Sequence, residues 1–440
     1  MLILFGFAII PMAFATGMGI DYARAAKLRT KMNALADAAA LAGVTQTMMS
    51  LDDATATLTA RNMFNTQAAL LTGVTYDPST LVVTVTHPTG AGSRTMTVSY
   101  SALSQNSFGG ILGSPTIAIG GTSTSNNVVA PNIDFYMLLD TSPSMLLPAT
   151  SAGLSAMISA TSGAVSGGCA FACHQSNLTY NSSSNTELVC DSSKKNCKDF
   201  YTVAVNNGIV LRTDLLHNAV SNLTDLATSM SSSNKAKYRM GLFSFDKTFK
   251  QLWPSVVVAP NVDANLSTVK LHVTDAQVIT YCQNNYYQCG TNDNDTATNF
   301  TGAFTGIQAA MPTTPGNGTN YNNDTPQAVM FLITDGMWDE KRPSGKPEGP
   351  ISTTACTAIK ARGIRIAVLY TEYLPGSVGT DSWSITNVKT PYLSPTDKIS
   401  PPLQQCASPG LYTKVTTDSD ISTALAQLFQ AAVATARLTN

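Results

Sequence analysis

The chain has 440 residues, with 26 Lys and Arg against 27 Asp and Glu, a formal net charge of −1, 12% charged and 44% hydrophobic residues. Soluble domains usually carry about 25% charged residues; here Thr, Ser, Asn and Gly fill the gap, a surface chemistry suited to the outside of a cell. Near-zero charge without a basic block excludes the electrostatic footprint of a nucleic-acid-binding protein, and the 8 cysteines point to an oxidising compartment.

Met1 to Ile20 carry no charged side chain and hold the apolar run Leu2, Ile3, Leu4, Phe5, Phe7, Ile9, Ile10, Met12, Phe14, Met18 and Ile20. At about 1.5 Å per residue such a helix just crosses a hydrocarbon core of about 30 Å. A cleaved secretory signal is the alternative, but the stretch lacks a basic n-region and runs without a polar break into a strong helix former, Asp21 to Leu41, which ends at Gly43. The expectation is a single transmembrane signal anchor. Arg24, Lys27, Arg29 and Lys31 follow the span directly, so the positive-inside rule would hold the C-terminal bulk in the cytoplasm. The cysteines argue the reverse, and the expectation follows them, with a basic segment upstream of Met1 as the reconciling hypothesis.

Residues 46–130 read as a small β-rich region. Thr80 to Val85 and Thr95 to Tyr100 alternate partly at period two, glycines punctuate the turns, and Gly121 to Val129 reads as a linker. From residue 131 the pattern changes. Ile133 to Leu139, Tyr238 to Phe245, Ala328 to Thr334 and Ile364 to Tyr370 are short apolar runs, as central parallel strands covered on both faces should be. Between and after them Asp214 to Met230, Phe304 to Met311, Ser352 to Ala361 and Ser422 to Leu438 read as amphipathic helices. The fold class is therefore α/β, a doubly wound, mostly parallel, Rossmann-like sheet over 131–440. It is preceded by the long N-terminal helix (1–45) and the β-rich region (46–130), and interrupted by polar inserts at about 161–205, 280–297 and 371–405.

The first of these strands runs into Asp140, Thr141, Ser142, Pro143 and Ser144, and a later one ends in Thr334, Asp335 and Gly336. In an open α/β sheet the crevice beyond the strand C-termini is the usual ligand site. Two carboxylates and several hydroxyls there form a hard oxygen set suited to Mg²⁺ or another hard divalent cation such as Mn²⁺ or Ca²⁺, not to zinc. Thr298 and Asn299 open the helical stretch between them and bring a further hydroxyl.

These residues resemble a von Willebrand factor A (vWA) domain. Asp140, Ser142, Ser144, Thr298 and Asp335 match that family's metal-ion-dependent adhesion site residue by residue. The resemblance implies one divalent metal with a position left open for an acidic group of a protein partner. The uncharged span running into DYARAAKLRTKMNALADAAALAG is similar to the front of TadG-type proteins of Tad/Flp pilus-assembly systems, in which a pilin-like anchor precedes a vWA domain. Cys169-Ala-Phe-Ala-Cys173-His174, then Asp199, Phe200 and Tyr201, and the stretch 206–220 resemble the same family.

Cys169, Cys173 and His174 are spaced as C-x3-C-H and not as a haem attachment motif. Cys169, Cys173, Cys190 and Cys197 lie in a Ser/Asn-rich insert that lacks an apolar core, so two bridges would order it, with a zinc cluster as the alternative. Cys282 and Cys289 would close a small loop, and Cys356 with Cys406 would tie separate elements. No histidine stands at a strand end beside Ser142 or Ser144, and no GxSxG, P-loop or HExxH occurs, so no enzyme activity is expected. The expectation is a single-pass protein of the bacterial inner membrane with its bulk in the periplasm or at the cell surface. It would act in pilus assembly or surface adhesion by binding a pilus or envelope component through a metal-bridged carboxylate. The alternative is a structural pilus-associated component whose vWA domain is a metal-free scaffold.

Overall fold

The structure is a computed structural model. It describes residues 2–87, 92–164, 167–169, 175–176, 188–193, 196–281, 286–288, 291–292, 296–319, 325–340, 348–373, 375–379, 382–416 and 420–435. The chain divides into two units, Met1–Pro131 with Asn317–Thr325 and Arg437–Asn440, and Asn132–Gly316 with Pro326–Ala436.

In the first unit a single helix α1 (Leu2–Ala42) and a second helix α2 (Asp53–Ala68) pack with a four-stranded antiparallel sheet. The sheet is built on the long strand β3 (Ser93–Gln105). Along one edge of it lie β1 (Val74–Tyr76) and β2 (Val82–Thr86), and along the other β4 (Thr116–Val128). Ala25, Leu28, Met32, Ala36 and Ala39 repeat at helical spacing and are all buried. Because most of that stripe is alanine, α1 approaches the sheet closely, with Met96, Val98, Tyr100 and Ile119 beneath it in one core.

Two expectations for 46–130 are corrected here. The region contains α2, capped by Asp52, whose side chain accepts from the Thr55 N–H, and its buried face is Ala56, Ala60, Phe64 and Ala68. Alanine carries too little hydrophobicity for that stripe to stand out in the sequence. Gly121 to Val129 is also no linker, since residues 116–128 pair with β3 over their whole length. Its Ser and Thr side chains bond across the strands, Thr97 with Thr124 at 3.1 Å and Ser99 with Thr122 at 2.9 Å, so its polar stretch Gly121–Asn127 is held by polar cross-strand pairs.

Arg94 is fully buried in this unit, donating to the Met48 and Leu51 carbonyls at 2.6 Å each and to Asp53 at 3.1 Å. Asp21, also buried, accepts from the backbone N–H groups of Ser107, Phe108 and Gly109 at 2.8, 2.9 and 2.7 Å. Bonds from the Gly109 amide first, then those of Ser107 and Phe108, and the charge of Arg24 hold its carboxyl below the usual range against desolvation.

Among the described residues no helix is long and apolar enough to cross a membrane. The expected transmembrane span therefore finds no support there. Most of the early apolar run, residues 2–7 and Ile10, has side chains outside the described set. Farther along α1, Ile9, Met12, Met18 and Ile20 are exposed.

The second unit is the doubly wound α/β fold. Its central strands are β5 (Ile133–Asp140), β6 (Tyr238–Phe245), β7 (Phe249–Trp253), β8 (Gln327–Thr334), β9 (Arg365–Thr371) and β10 (Tyr412–Val415). The sheet order is β7-β6-β5-β8-β9-β10, parallel throughout except for the antiparallel edge strand β7. All eight residues of β5 are buried, as a strand covered on both faces requires. Alternate residues go to opposite faces. Tyr136 and Leu138 meet helices α7 (Phe300–Ala310), α8 (Thr354–Ala361) and α9 (Ser400–Cys406) through Ile307, Ile359 and Leu403. The Phe135 ring lies 4.7 Å, centre to centre and tilted, from Phe429 of α10 (Ile421–Thr435), which lies beside α5 (Arg212–Asn234) on the other face. Before α5 come α3 (Ser151–Thr161) and α4 (Phe200–Asn206), and α6 (Leu266–Leu271) follows β7.

A disulfide Cys356–Cys406 joins α8 to α9, and Cys190–Cys197 closes a short hairpin in the first insert. Cys169 is disulfide-bonded as well. Cys173, Cys282 and Cys289 lie outside the described residues.

Candidate metal centre

Chain order runs outward from β5 in both directions, to β6 on one side and to β8 on the other. The switch point, where an open α/β sheet leaves a crevice, is therefore at the C-terminal ends of β5 and β8. Asp140 is the last residue of β5, and Asp335 directly follows β8, whose Ile333 pairs with Leu139.

The turn after β5 brings the two serines together. Pro143 takes the first position of a short 3₁₀ turn, Pro143–Leu146, where its fixed φ is pre-organised. Ser142 donates its backbone N–H to Asp140 Oδ1 at 2.9 Å, and the Ser142 and Ser144 hydroxyls are 2.9 Å apart. From the neighbouring strand the Thr334 hydroxyl donates to Asp140 Oδ2 at 2.5 Å and accepts from the Gly336 N–H at 2.9 Å. Gly336 has φ of +74°, and a Cβ there would lie 2.6 Å from Leu403 Cδ1 and 2.7 Å from Ile399 Cγ2. Only glycine makes this turn without strain and without displacing α9.

Asp140, Ser142, Ser144 and Asp335 are all buried, the two carboxylates completely. Burial, and secondly the charge of Asp335, push the Asp140 carboxyl up to about 7. Burial likewise raises Asp335, opposed by the Arg212 guanidinium, the Ser144 hydroxyl and the Met337 N–H. Asp335 Oδ1 accepts a long bond from that N–H at 3.4 Å, whereas Oδ2 has no hydrogen-bond partner and lies 3.8 Å from Arg212 Nη1. Two buried carboxylates share one guanidinium, and one of their oxygens has no hydrogen-bond partner, so the pair is short of positive charge.

That shortage is what a hard divalent cation would supply, so the residues fit one. Asp140 and Asp335 with the Ser142 and Ser144 hydroxyls would hold it. A bound cation would neutralise the carboxylates and present positive charge to an acidic group. Among the described residues no three His, Cys, Asp or Glu side chains gather as a metal cluster.

Thr298 is buried just before α7, fixed by reciprocal backbone bonds with Asp339 at 2.9 and 3.1 Å. Among the described residues no hydrogen bond joins its side chain to Asp140 or Asp335. Asn299 caps α7 by accepting from the Gly302 N–H at 2.8 Å and donates its own N–H to the Asp246 carbonyl at 2.9 Å. Thus α7 is tied to the end of β6, beside β5.

Four residues to which the sequence assigned no role surround the site. Thr334 bonds Asp140 directly. Asp246, buried after β6, is matched by Lys250 Nζ at 2.7 Å and by the Thr248 N–H at 2.8 Å. Arg212 and Tyr373 are buried near Asp335, and desolvation raises the Tyr373 hydroxyl well above its usual value. Thr334 and Asp246 stand at the ends of expected strands, Arg212 is a cation opening a helix, where the dipole disfavours it, and Tyr373 carries no such signal.

Residues 1–46 match the family model described as Flp pilus-assembly TadE/G-like. No curated protein matches the chain in sequence. Among solved structures it is similar to BatB from Bacteroides thetaiotaomicron, at 14% identity and a TM-score of 0.34, covering 69% of this chain and 99% of that one. It is also similar to the vWF domain of the type V pili tip protein Mfa5 from Porphyromonas gingivalis, at 9% identity and a TM-score of 0.33, covering 70% and 97%. A third is proximal thread matrix protein 1 from the mussel byssus, solved with a zinc-occupied MIDAS motif, at 12% identity and a TM-score of 0.34. That match covers 69% of this chain and 49% of the mussel protein.

Proposed function

We propose that this chain is a pilus-associated envelope protein whose α/β unit is a vWA domain that binds a protein partner through a metal-ion-dependent adhesion site. The observation that carries the reading is the pair Asp140 and Asp335 at the switch point, with one Asp335 oxygen lacking a hydrogen-bond partner and the Ser144 hydroxyl, 2.9 Å from that of Ser142, acting on Asp335. In this reading Asp140, Ser142, Ser144, Thr298 and Asp335 serve one Mg²⁺, Mn²⁺ or Ca²⁺, directly or through water. The cation bridges to an acidic side chain of a pilus or envelope component. The role is binding and not catalysis.

The TadE/G-like match over residues 1–46 supports the pilus context. The disulfides support an extracytoplasmic location. The uncharged start of α1 supports single-pass attachment to the inner membrane, with the bulk in the periplasm or at the surface.

The direct test is Mn²⁺ or Mg²⁺ titration of the protein and of Asp140→Ala, paired with pilus output and adhesion in cells that accumulate each form equally. Saturable binding and adhesion lost together in the variant support the proposal. Unchanged pilus output and adhesion with folded Asp140→Ala overturn it. A metal-free scaffold is the second reading, favoured by the burial of both carboxylates and by Arg212 at 3.8 Å from Asp335. It expects no cation binding at all.

A further inference from the structure

Arg212 is the first residue of α5, where a cation faces the positive end of the helix dipole. It is nevertheless buried, with 6% exposure. Its position is set from three sides. Its backbone N–H donates to the Leu147 carbonyl at 3.0 Å, just past the serine turn. Its Nη2 donates to the Glu372 carbonyl at 2.6 Å, and its Cζ lies 5.8 Å from the centre of the Tyr373 ring. These contacts leave Nη1 directed at Asp335 Oδ2, 3.8 Å away, and neither atom has a hydrogen-bond partner. A buried guanidinium ordinarily fills its donors. Here an unfilled donor and an unfilled acceptor of opposite charge face each other just beyond bonding distance.

The charge balance gives this arrangement a consequence. Asp140 and Asp335, both ionised, are offset by one guanidinium, so the closed site keeps a net negative charge. A divalent cation added to it makes the site net positive, and the cation and the guanidinium then share the same buried carboxylate and repel each other in surroundings of low dielectric. Without Arg212, the cation alone would neutralise the two carboxylates.

We propose that Arg212 is an internal counter-ion of the metal site that competes with the divalent cation for Asp335 and thereby weakens cation binding; the proposal rests on the metal-site reading above. Arg212 is a positioning residue, since it acts through Asp335. A net positive loaded site has a further consequence, because an acidic partner then completes the neutrality that the cation overshoots.

The test is the dissociation constant of Mn²⁺, followed by electron paramagnetic resonance at a pH where both carboxylates are ionised, for the full chain and for Arg212→Met, Arg212→Gln and Arg212→Lys. The two neutral variants are expected to bind at least tenfold more tightly, and Arg212→Lys to stay close to the parent. Neutral variants that are folded by circular dichroism and bind no more tightly than the parent overturn the proposal. A parent that binds no Mn²⁺ while Arg212→Met does supports it in the extreme. If no form binds, the metal-site reading itself has failed, and the counter-ion with it. Where the neutral variants do not fold, the Nε–Hε resonance of Arg212 in the unmodified protein decides. It should shift on saturation with Mg²⁺, and an unchanged resonance overturns the proposal.

Discussion

Replacing Asp140 by Asn tests the electrostatics of the site most sharply, because the expected sign is unusual for a fully buried residue. Burial and Asp335 raise the Asp140 carboxyl from 3.8 to about 7. A carboxyl whose pKa is raised on folding binds its proton more tightly in the native state. Its contribution is therefore most favourable below the unfolded value and is lost as pH rises through about 7. At roughly 1.4 kcal/mol per pH unit, ionised Asp140 costs the metal-free fold at most about 4 kcal/mol in mildly alkaline solution. Asparagine removes that cost but accepts only one of the two bonds now given by the Ser142 N–H and the Thr334 hydroxyl. The lost bond takes back about 1–2 kcal/mol. The net expectation is a gain of about 2 kcal/mol, an increase in melting temperature of about 3 °C for a unit of this size. Calorimetry in EDTA reads it directly. Repeated in excess MgCl₂, the unmodified protein should gain stability by mass action, about 2.7 kcal/mol when the cation is at a hundred times its dissociation constant. Asp140→Asn should gain almost none. A variant less stable than its parent in EDTA, or one that keeps the full response to Mg²⁺, would refute the account of the site as two buried carboxylates short of positive charge.

The metal-free protein should also lose stability as pH rises from about 4 to about 7, and excess Mg²⁺ should flatten that slope; a slope of the opposite sign in EDTA counts against the raised Asp140. Replacing Cys356 and Cys406 together by Ala opens a loop of sequence separation 50. By loop entropy this should cost about 4 kcal/mol in denaturant unfolding, and a loss under about 1 kcal/mol would show that the bridge adds little beyond the packing of α8 and α9. Arg94→Met removes the guanidinium bonds to the Met48 and Leu51 carbonyls and to the Asp53 carboxylate, leaving the Met48 carbonyl only its bond from the Leu51 N–H. Loss of these charge-assisted bonds should destabilise the first unit by about 2 kcal/mol while leaving Mn²⁺ affinity unchanged, and a change in that affinity would be inconsistent with a purely structural Arg94. Gly336→Ala strains a positive φ and presses on Leu403 and Ile399. Cation binding should weaken at least tenfold in a protein that still folds, and intact affinity would mean that the turn after Asp335 is not what places its carboxylate.

Much of the α/β unit was legible because buried parallel strands are short, almost wholly apolar and set between amphipathic helices. Ile133–Asp140 and Gln327–Thr334 lie within a residue of where the apolar runs put them. The D-x-S-x-S turn and the later Thr-Asp-Gly were legible for a related reason, since each directly continues such a strand. The first unit was harder to read because its signals are faint. The buried stripe of α2 is mostly alanine, and β4 holds its register by Ser and Thr pairs that in sequence look the same as a loop.

The sequence by itself determined the chemistry available at the strand ends, two carboxylates and a set of hydroxyls, because those residues are contiguous with the strands that carry them. Only the tertiary structure decided what surrounds them. It set Thr334 against Asp140 across paired strands, and brought Arg212 and Tyr373 to Asp335 from positions 123 residues before and 38 after it in the chain. It also left one Asp335 oxygen without a hydrogen-bond partner. Local sequence encodes which side chain leaves a strand, but the field that side chain feels comes from residues far along the chain, and packing alone brings those to it.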